Sequence, residues 1–144
     1  DFGRDDFAKY HPGGALGKKL LLQVKDMIEN SLKPTVTPDT PIKKVIFEIS
    51  EKRLGATAVV QEGKVIGVVT DGDIRRMLND NDSFTHLTAK DVMTKSPKMI
   101  QSSAMAVQAL NILEDFSITQ LIVVDNNEYK GIIHLHDILK EGIV

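Results

Sequence analysis

Two segments of this chain carry similar residues in the same order, 64 positions apart. Val59 aligns with Val123 and Asp73 aligns with Asp137, and the residues around each pair agree as well. Such a repeat constrains the fold, because both copies must form the same supersecondary unit and a unit this short buries its apolar face only against a partner. We therefore expect two similar halves that pack together.

Each copy contains apolar residues spaced i, i+3, i+4 and i+7, which is typical of an amphipathic helix. These residues are Ile42, Val45, Ile46 and Ile49 in the first copy and Ala106, Ala109, Leu110 and Leu113 in the second. The first helix is predicted over residues 42–54, with Pro41 at its first helical position. The second is predicted over residues 104–115, with Ser103 as its N-cap.

Two runs rich in β-branched residues follow each helix, and they predict a β-hairpin in each copy. The strands are expected at residues 57–61 and 65–70 and at residues 120–124 and 129–134, and helices are expected again at 74–79 and 137–141. Each copy is thus predicted to form a βαββα unit preceded by a short helix. The fold class is α/β (α+β), with two units packed as one pseudo-twofold domain.

We expect residues 1–23 to be a linker, residues 24–80 to be the first repeat and residues 81–144 to be the second. The chain starts at Asp1, which suggests that it is part of a larger polypeptide.

Composition excludes several functional classes. Hydrophobic residues make up 42% and charged residues 26% of the chain, as in ordinary globular proteins. The 18 basic residues do not exceed the 20 acidic ones, so we expect neither nucleic acid nor an anionic membrane as a partner. There is no cysteine for a disulfide or a thiolate zinc ligand. No apolar stretch approaches the length of a membrane span and no signal peptide is evident, which favours a cytoplasmic location.

Thr70 and Asp73 form the most informative local motif of the first copy. A Thr followed three residues later by an Asp at the start of a helix is a capping box, and this role alone would explain both residues. A helix N-terminus also attracts phosphate, and Arg75 and Arg76 lie in the first turn. We regard both arginines as candidate ligand-binding residues. The alternative is that they belong to a solvated helix face.

His134 and His136 alternate along the end of the last strand, beside Asp137. Two imidazoles with no third ligand at a defined spacing do not make a convincing metal site, so we predict none. A histidine pair near a phosphate pocket would add positive charge below about pH 6.5.

The run from Gly67 to Ile74 and its counterpart from Gly131 to Ile138 resemble the end of a CBS motif, two of which form a CBS pair, or Bateman module. The resemblance covers residues 24–144 and implies that a nucleotide binds between the repeats. In this family the motif aspartate contacts ribose hydroxyls and the preceding Ser or Thr contacts phosphate, which implies roles for Thr70, Asp73 and Asp137. His134 occupies the place of the second Ser or Thr and favours a ligand other than two identical adenine nucleotides.

The segment from Asp6 to Leu21, with its His11-Pro-Gly-Gly phrase, is similar to the junction of D-arabinose 5-phosphate isomerases, in which a sugar isomerase (SIS) domain precedes a CBS pair. The resemblance implies that the full-length protein interconverts ribulose 5-phosphate and arabinose 5-phosphate for Kdo and lipopolysaccharide synthesis. It places His11 at the catalytic site of that full-length enzyme. Nothing in this chain resembles the SIS core, so we expect the fragment alone to be non-catalytic. His11 is otherwise an exposed linker histidine.

The same resemblance implies the partners. We expect no required cofactor and a regulatory nucleotide, which is either an adenine nucleotide or, because arabinose 5-phosphate is committed to Kdo, a nucleotide sugar such as CMP-Kdo. The CBS pair contacts its own SIS domain and forms a homodimer, which gives a tetramer in the full-length protein. Two other functions stay open: a nucleotide-sensing CBS pair of another host protein, and a dimerisation module without a ligand.

Overall fold

The computed structural model describes residues 21–142. It contains six helices and seven strands within that range, and none of these helices has the length and apolar character needed to cross a membrane. In chain order the elements are α1 (Val24–Ile28), β1 (Thr35–Val36), α2 (Ile42–Lys52), β2 (Ala56–Gln61), β3 (Lys64–Thr70), α3 (Asp71–Asp80), α4 (Ala89–Val92), β4 (Thr94–Lys95), β5 (Met99–Ile100), α5 (Ala106–Asp115), β6 (Gln120–Asp125), β7 (Glu128–His134) and α6 (Leu135–Lys140).

The sequence repeat reappears as identical strand registers. One sheet has the order β1-β2-β3-β4 and the other has the order β5-β6-β7. In the first hairpin Val59 lies opposite Gly67 and the register shifts immediately after Val59. In the second hairpin Val123 lies opposite Gly131 and the register shifts at the equivalent place. The prediction of two repeated α/β units is therefore confirmed.

Several helix boundaries differ from the prediction. Pro41 is the N-cap of α2 and not its first helical residue, because its ψ of 145° is extended. Helix α5 begins at Ala106 and not at residue 104, and its N-cap is Met105 and not Ser103. The reason is a turn in which the Ala104 N–H donates to the Gln101 carbonyl, followed by an antiparallel bridge that holds Met105 extended. Helices α3 and α6 begin directly at the strand ends, earlier than residues 74 and 137.

The short helix that opens each repeat packs on the other repeat. The Val24 N–H donates to the Ala104 carbonyl, and the equivalent Ala89 N–H donates to the Thr40 carbonyl. Val24 is accordingly buried in the core of the second repeat, and Ala89 in the core of the first. This reciprocal exchange joins the two repeats.

A third apolar cluster lies between the two sheets. It is formed by Ala56, Ala58, Val68, Ile122, Tyr129 and Ile132. The Tyr129 hydroxyl is buried and donates to the Pro34 carbonyl at 2.6 Å, while burial raises the pKa of this phenol well above its ordinary value. Because this cluster holds the two sheets face to face, the ends of β3 and β7 are fixed relative to each other.

Candidate functional site

The end of β3 and the start of α3 form the first half-site, which we define as Thr70 and Asp73. The Thr70 N–H donates to Oδ2 of Asp73 at 2.9 Å, and the Asp73 N–H donates to the Thr70 hydroxyl at 3.2 Å. This is the capping box that the sequence predicted. It fixes the Asp73 side chain at the N-terminus of the helix.

Two further groups reach the Asp73 carboxylate from outside the box. The Thr94 hydroxyl donates to Oδ1 at 2.9 Å, and the Arg76 guanidinium donates to the same oxygen. The Asp73 side chain is 3% exposed, whereas the Arg76 side chain is 67% exposed. Since Thr94 belongs to β4, Asp73 also ties its helix to the strand that enters the second repeat.

The second half-site, defined as His134 and Asp137, lies where β7 meets α6. The His134 N–H donates to Oδ2 of Asp137 at 3.1 Å, and Nδ1 of His134 accepts the His136 N–H at 2.9 Å. An Nδ1 that accepts a hydrogen bond leaves the proton of the neutral ring on Nε2. Burial, helped by the nearby His136, lowers the pKa of His134 against the opposing effect of Asp137. The neutral ring therefore presents one N–H donor.

The two half-sites are connected through the inter-repeat junction, which we define as Leu54 and Gly55 with Gln120. The Gln120 side chain donates to the Leu54 carbonyl at 3.1 Å. Gly55 has a φ of +72°, and a Cβ there would lie 2.7 Å from Nε2 of Gln120. Gln120 pairs with His134, and the Asp71 N–H at the start of α3 donates to the Gly55 carbonyl. Both helix starts thus adjoin the junction.

The structure separates the predicted site residues into groups. Thr70, Asp73 and Arg76 are in contact, and His134 and Asp137 are in contact. Arg75 is exposed and makes no side-chain hydrogen bond to residues 21–142. His11 lies outside the described residues.

Thr94 and Gln120 belong to the site but were not predicted from the sequence. Thr94 lies 21 positions from Asp73, and Gln120 lies 66 positions from Leu54. Neither residue belongs to a local motif, and their contacts depend on how the two repeats pack. The repeat gives no signal either, because Thr94 aligns with Glu29 and Gln120 aligns with Ala56.

Open space adjoins the first half-site on two sides. A cavity of about 450 Å³ lies between α2 and α3, and Ser50, Arg53 and Asp71 contribute its polar groups. A smaller cavity of about 250 Å³ lies beside Asp73 and Arg76. Among the described residues no group of His, Asp and Glu side chains is arranged to hold a metal ion.

Curated relatives match almost the whole chain. The arabinose 5-phosphate isomerase KdsD of Yersinia pestis is 39% identical over 145 residues, and that of Francisella tularensis is 42% identical over 142 residues. These alignments cover 99% and 97% of this chain but only 44% and 43% of the relatives. The chain therefore spans less than half the length of the relatives that it matches.

Solved structures show the same fold at low sequence identity. The CBS-domain protein ATU1752 from Agrobacterium tumefaciens has a TM-score of 0.75 at 23% identity, covering 86% of this chain and 96% of that one. The CBS domain protein PAE2072 from Pyrobaculum aerophilum, complexed with AMP, has a TM-score of 0.73 at 18% identity, covering 81% and 89%. The CBS domain pair of MJ0100, in complex with 5′-methylthioadenosine and S-adenosyl-L-methionine, has a TM-score of 0.70 at 22% identity, covering 83% and 94%.

The family model of the CBS domain matches residues 24–80 and again residues 89–143. Together with the two equivalent sheets and their shared registers, these matches confirm the expected tandem CBS repeats: the chain belongs to the CBS domain family.

Proposed function

We propose that this chain is the regulatory, ligand-binding CBS pair of an arabinose 5-phosphate isomerase. One observation carries the ligand-binding role: two equivalent helix starts, each with a capping aspartate, adjoin one inter-repeat junction. The identity to curated isomerases over 99% of the chain supports the choice of host. The whole enzyme would interconvert ribulose 5-phosphate and arabinose 5-phosphate and so supply Kdo and lipopolysaccharide synthesis from the cytoplasm.

The ligand we propose is a nucleotide. A carboxylate accepts charge-assisted hydrogen bonds from ribose hydroxyls, and Asp73 and Asp137 are the carboxylates of the two half-sites. Arg75 and Arg76 supply positive charge next to the first of them. CBS proteins of the same fold are known in complex with AMP or with S-adenosyl-L-methionine, which supports an adenine nucleotide.

His134 supports a second ligand of the same class, a cytidine nucleotide sugar such as CMP-Kdo. The neutral His134 ring offers an N–H donor where the first repeat has a Thr hydroxyl. An N–H donor suits the carboxylate of a sugar acid. Binding of a product made from arabinose 5-phosphate would give feedback control.

Catalysis by the whole enzyme would need residues beyond this chain. Aldose–ketose isomerisation requires a positioned base, and His11 is the residue that we propose for this role in the full-length protein. Without the SIS domain, His11 lacks a substrate to act on. The chain by itself would bind and regulate without catalysing.

A thermal-shift series tests the ligand-binding role. The purified chain is heated with AMP, ATP, CMP or CMP-Kdo at millimolar concentration. Ligand at 100 times its Kd stabilises a fold by about 2.7 kcal/mol, which raises the Tm of a domain of this size by roughly 5–15 °C. We expect such a shift for at least one nucleotide, and CMP-Kdo to give the largest. No shift with any of the four would contradict the proposal.

Exposed apolar side chains support homodimer formation as a second role. Phe47 on α2 is 66% exposed and Leu78 on α3 is 49% exposed. Phe116, at the C-terminal end of α5, and Leu139, within α6, are exposed as well. Contact between two copies through these side chains would remove their apolar surface from water. Sedimentation of the chain and of a Phe47→Ser variant tests this: the chain should sediment as a dimer and the variant as a monomer. A monomeric chain would contradict it.

A further inference from the structure

Tyr129 fills the space between the hairpin of the second repeat and the first strand of the first repeat. It is 4% exposed, and its ring lies in the apolar cluster between the two sheets. Its hydroxyl donates at 2.6 Å to the carbonyl of Pro34, which lies next to β1. That carbonyl also accepts the Ala58 N–H, at 3.3 Å, so both of its lone pairs are used.

Val65 takes the place of Tyr129 on the other side of the pair. It aligns with Tyr129 in the repeat, 64 positions earlier in the chain. A cavity of about 300 Å³ lies beside it, which is a volume at the lower limit of small-molecule pockets. The residues that line this cavity, which we call the open pocket, are Lys64, Val65, Met99, Val124 and Asn127. Because Val is much smaller than Tyr, the space that a ring fills on one side is open on the other.

The backbone beside the open pocket matches the backbone beside Tyr129. Met99 pairs with Ile122 at the same register that β1 and β2 share in the first repeat. The carbonyl of Lys98, which aligns with Pro34, accepts the Ile122 N–H at 3.4 Å. Within residues 21–142 no side chain donates to this carbonyl, whereas the Pro34 carbonyl receives the Tyr129 hydroxyl. The open pocket therefore combines apolar walls with a carbonyl acceptor, at the place where a phenol is held on the other side.

The open pocket lies on the side of the second half-site. Met99 pairs with Ile122, which is two residues along β6 from Gln120, and Gln120 pairs with His134. Two residues of a strand span about 7 Å, so one nucleotide can reach both the open pocket and the second half-site. Tyr129 stands in the same relation to the first half-site.

We infer that Tyr129 is a built-in occupant of one of two equivalent ring pockets, and that the pair therefore takes one planar ring of its ligand, in the open pocket between Val65 and Met99. This inference rests on the proposed function and makes it more specific. A flat heteroaromatic ring with an amino group at its edge fits, because the amino group can donate to the Lys98 carbonyl as the Tyr129 hydroxyl donates to that of Pro34. Adenine and cytosine carry such an amino group, whereas hypoxanthine and uracil have a carbonyl at the same position.

Calorimetric titration with AMP and with CMP counts the ring pockets, and the native chain should bind one equivalent. Val65→Tyr places a phenol in the open pocket, as the fold already does with Tyr129. It should weaken binding by roughly 100-fold or more, because two rings cannot share the pocket. Val65→Thr keeps the size of the side chain and is the matched control, with unchanged affinity expected. Unfolding curves confirm that both variants are folded.

Tyr129→Val is the reciprocal variant. It should open the second ring pocket and raise the stoichiometry from one equivalent to two. Tyr129→Phe keeps the ring and loses only the hydroxyl, so this matched control should stay at one equivalent. Loss of a buried ring should lower the Tm of Tyr129→Val, and the titration is therefore made well below that temperature.

Replacing the amino base by its keto counterpart tests the role of the Lys98 carbonyl. IMP in place of AMP, and UMP in place of CMP, should bind about three- to tenfold more weakly, which is the loss expected for one neutral hydrogen bond. Equal affinity within each pair would show that the ring does not donate to Lys98.

The outcomes separate the inference from the proposed function. If a nucleotide binds the native chain and Val65→Tyr with the same affinity, the inference fails and the proposed function stands. Two equivalents bound by the native chain, or a single equivalent bound by folded Tyr129→Val, also refute the inference. If none of the four nucleotides binds the native chain or Tyr129→Val, both the inference and the proposed function are wrong.

Discussion

Replacing Asp73 by Ala tests whether this carboxylate joins α3 to the strand that enters the second repeat. The variant removes the cap acceptor, at a cost of about 1 kcal/mol, and the bond from the Thr94 hydroxyl to a charged group, at about 1.5–3 kcal/mol. The Arg76 ion pair adds less than about 1 kcal/mol because Arg76 is largely in solvent. Removing a buried charge also removes the free-energy cost of its desolvation, so we expect Asp73→Ala to lower the free energy of unfolding by about 2–3 kcal/mol.

Asp137→Ala is the matched comparison, since it removes the equivalent carboxylate with its single cap bond. It should lower the free energy of unfolding by about 1 kcal/mol. Equilibrium unfolding in urea, followed by circular dichroism, measures both variants. A Thr94→Val variant combined with Asp73→Ala gives the coupling between the two side chains, which we expect to be about 1 kcal/mol. Equal destabilisation by Asp73→Ala and Asp137→Ala, with no coupling to Thr94, would show that Asp73 does not join α3 to β4.

Three further predictions concern acidity, backbone conformation and catalysis. Burial lowers the pKa of His134 in the folded state, so the unfolded chain binds a proton at this imidazole at a higher pH than the folded chain does. The Tm should therefore fall as the pH drops below 6.5, and His134→Thr should make the Tm less dependent on pH. An unchanged dependence in the variant would contradict this role of His134. Gly55→Ala should lower the free energy of unfolding in urea more than Gly63→Ala does. Both residues have a positive φ, but only at Gly55 would the added Cβ meet a side chain, with Nε2 of Gln120 at 2.7 Å. Equal losses of unfolding free energy would contradict this. In the full-length protein His11→Ala should lower kcat strongly and leave the Tm nearly unchanged. The isolated chain should show no isomerase turnover above that of buffer. An unaltered kcat would leave His11 as a linker residue.

The sequence predicted the features that depend on local patterns. The repeat, the hairpins and the capping box at Thr70 and Asp73 follow from spacing and from the short-range chemistry of helix starts. The predicted start of α5 at residue 104 was wrong. The helix begins at Ala106 because an antiparallel bridge between Gln23 and Met105 holds Met105 extended, in spite of the capping preference of Ser103.

Two features could not be predicted from the sequence. One is the packing of α1 and α4 on the opposite repeat, and the other is the number of donors that reach the Asp73 carboxylate. Val24 and Ala89 are apolar residues that suit the core of either repeat, so the pattern does not tell which repeat buries them. The donors on Asp73 include Thr94 from another element, and only the packing of β4 on β3 brings that hydroxyl into place. The roles of the six ligand-binding candidates and of His11 stay predictions.

We propose that a nucleotide binds at the helix starts beside the inter-repeat junction, and the place where it binds distinguishes this site from any other. Amide chemical-shift mapping of the isotope-labelled chain, titrated in turn with AMP, CMP and CMP-Kdo, reports the location of binding as well as its presence. We expect saturable shifts at residues 134–137 and 119–120, with smaller ones at residues 54–56 and 70–73. Shifts confined to the exposed faces of α2 and α3, or no saturable shift with any of the three nucleotides, would contradict it.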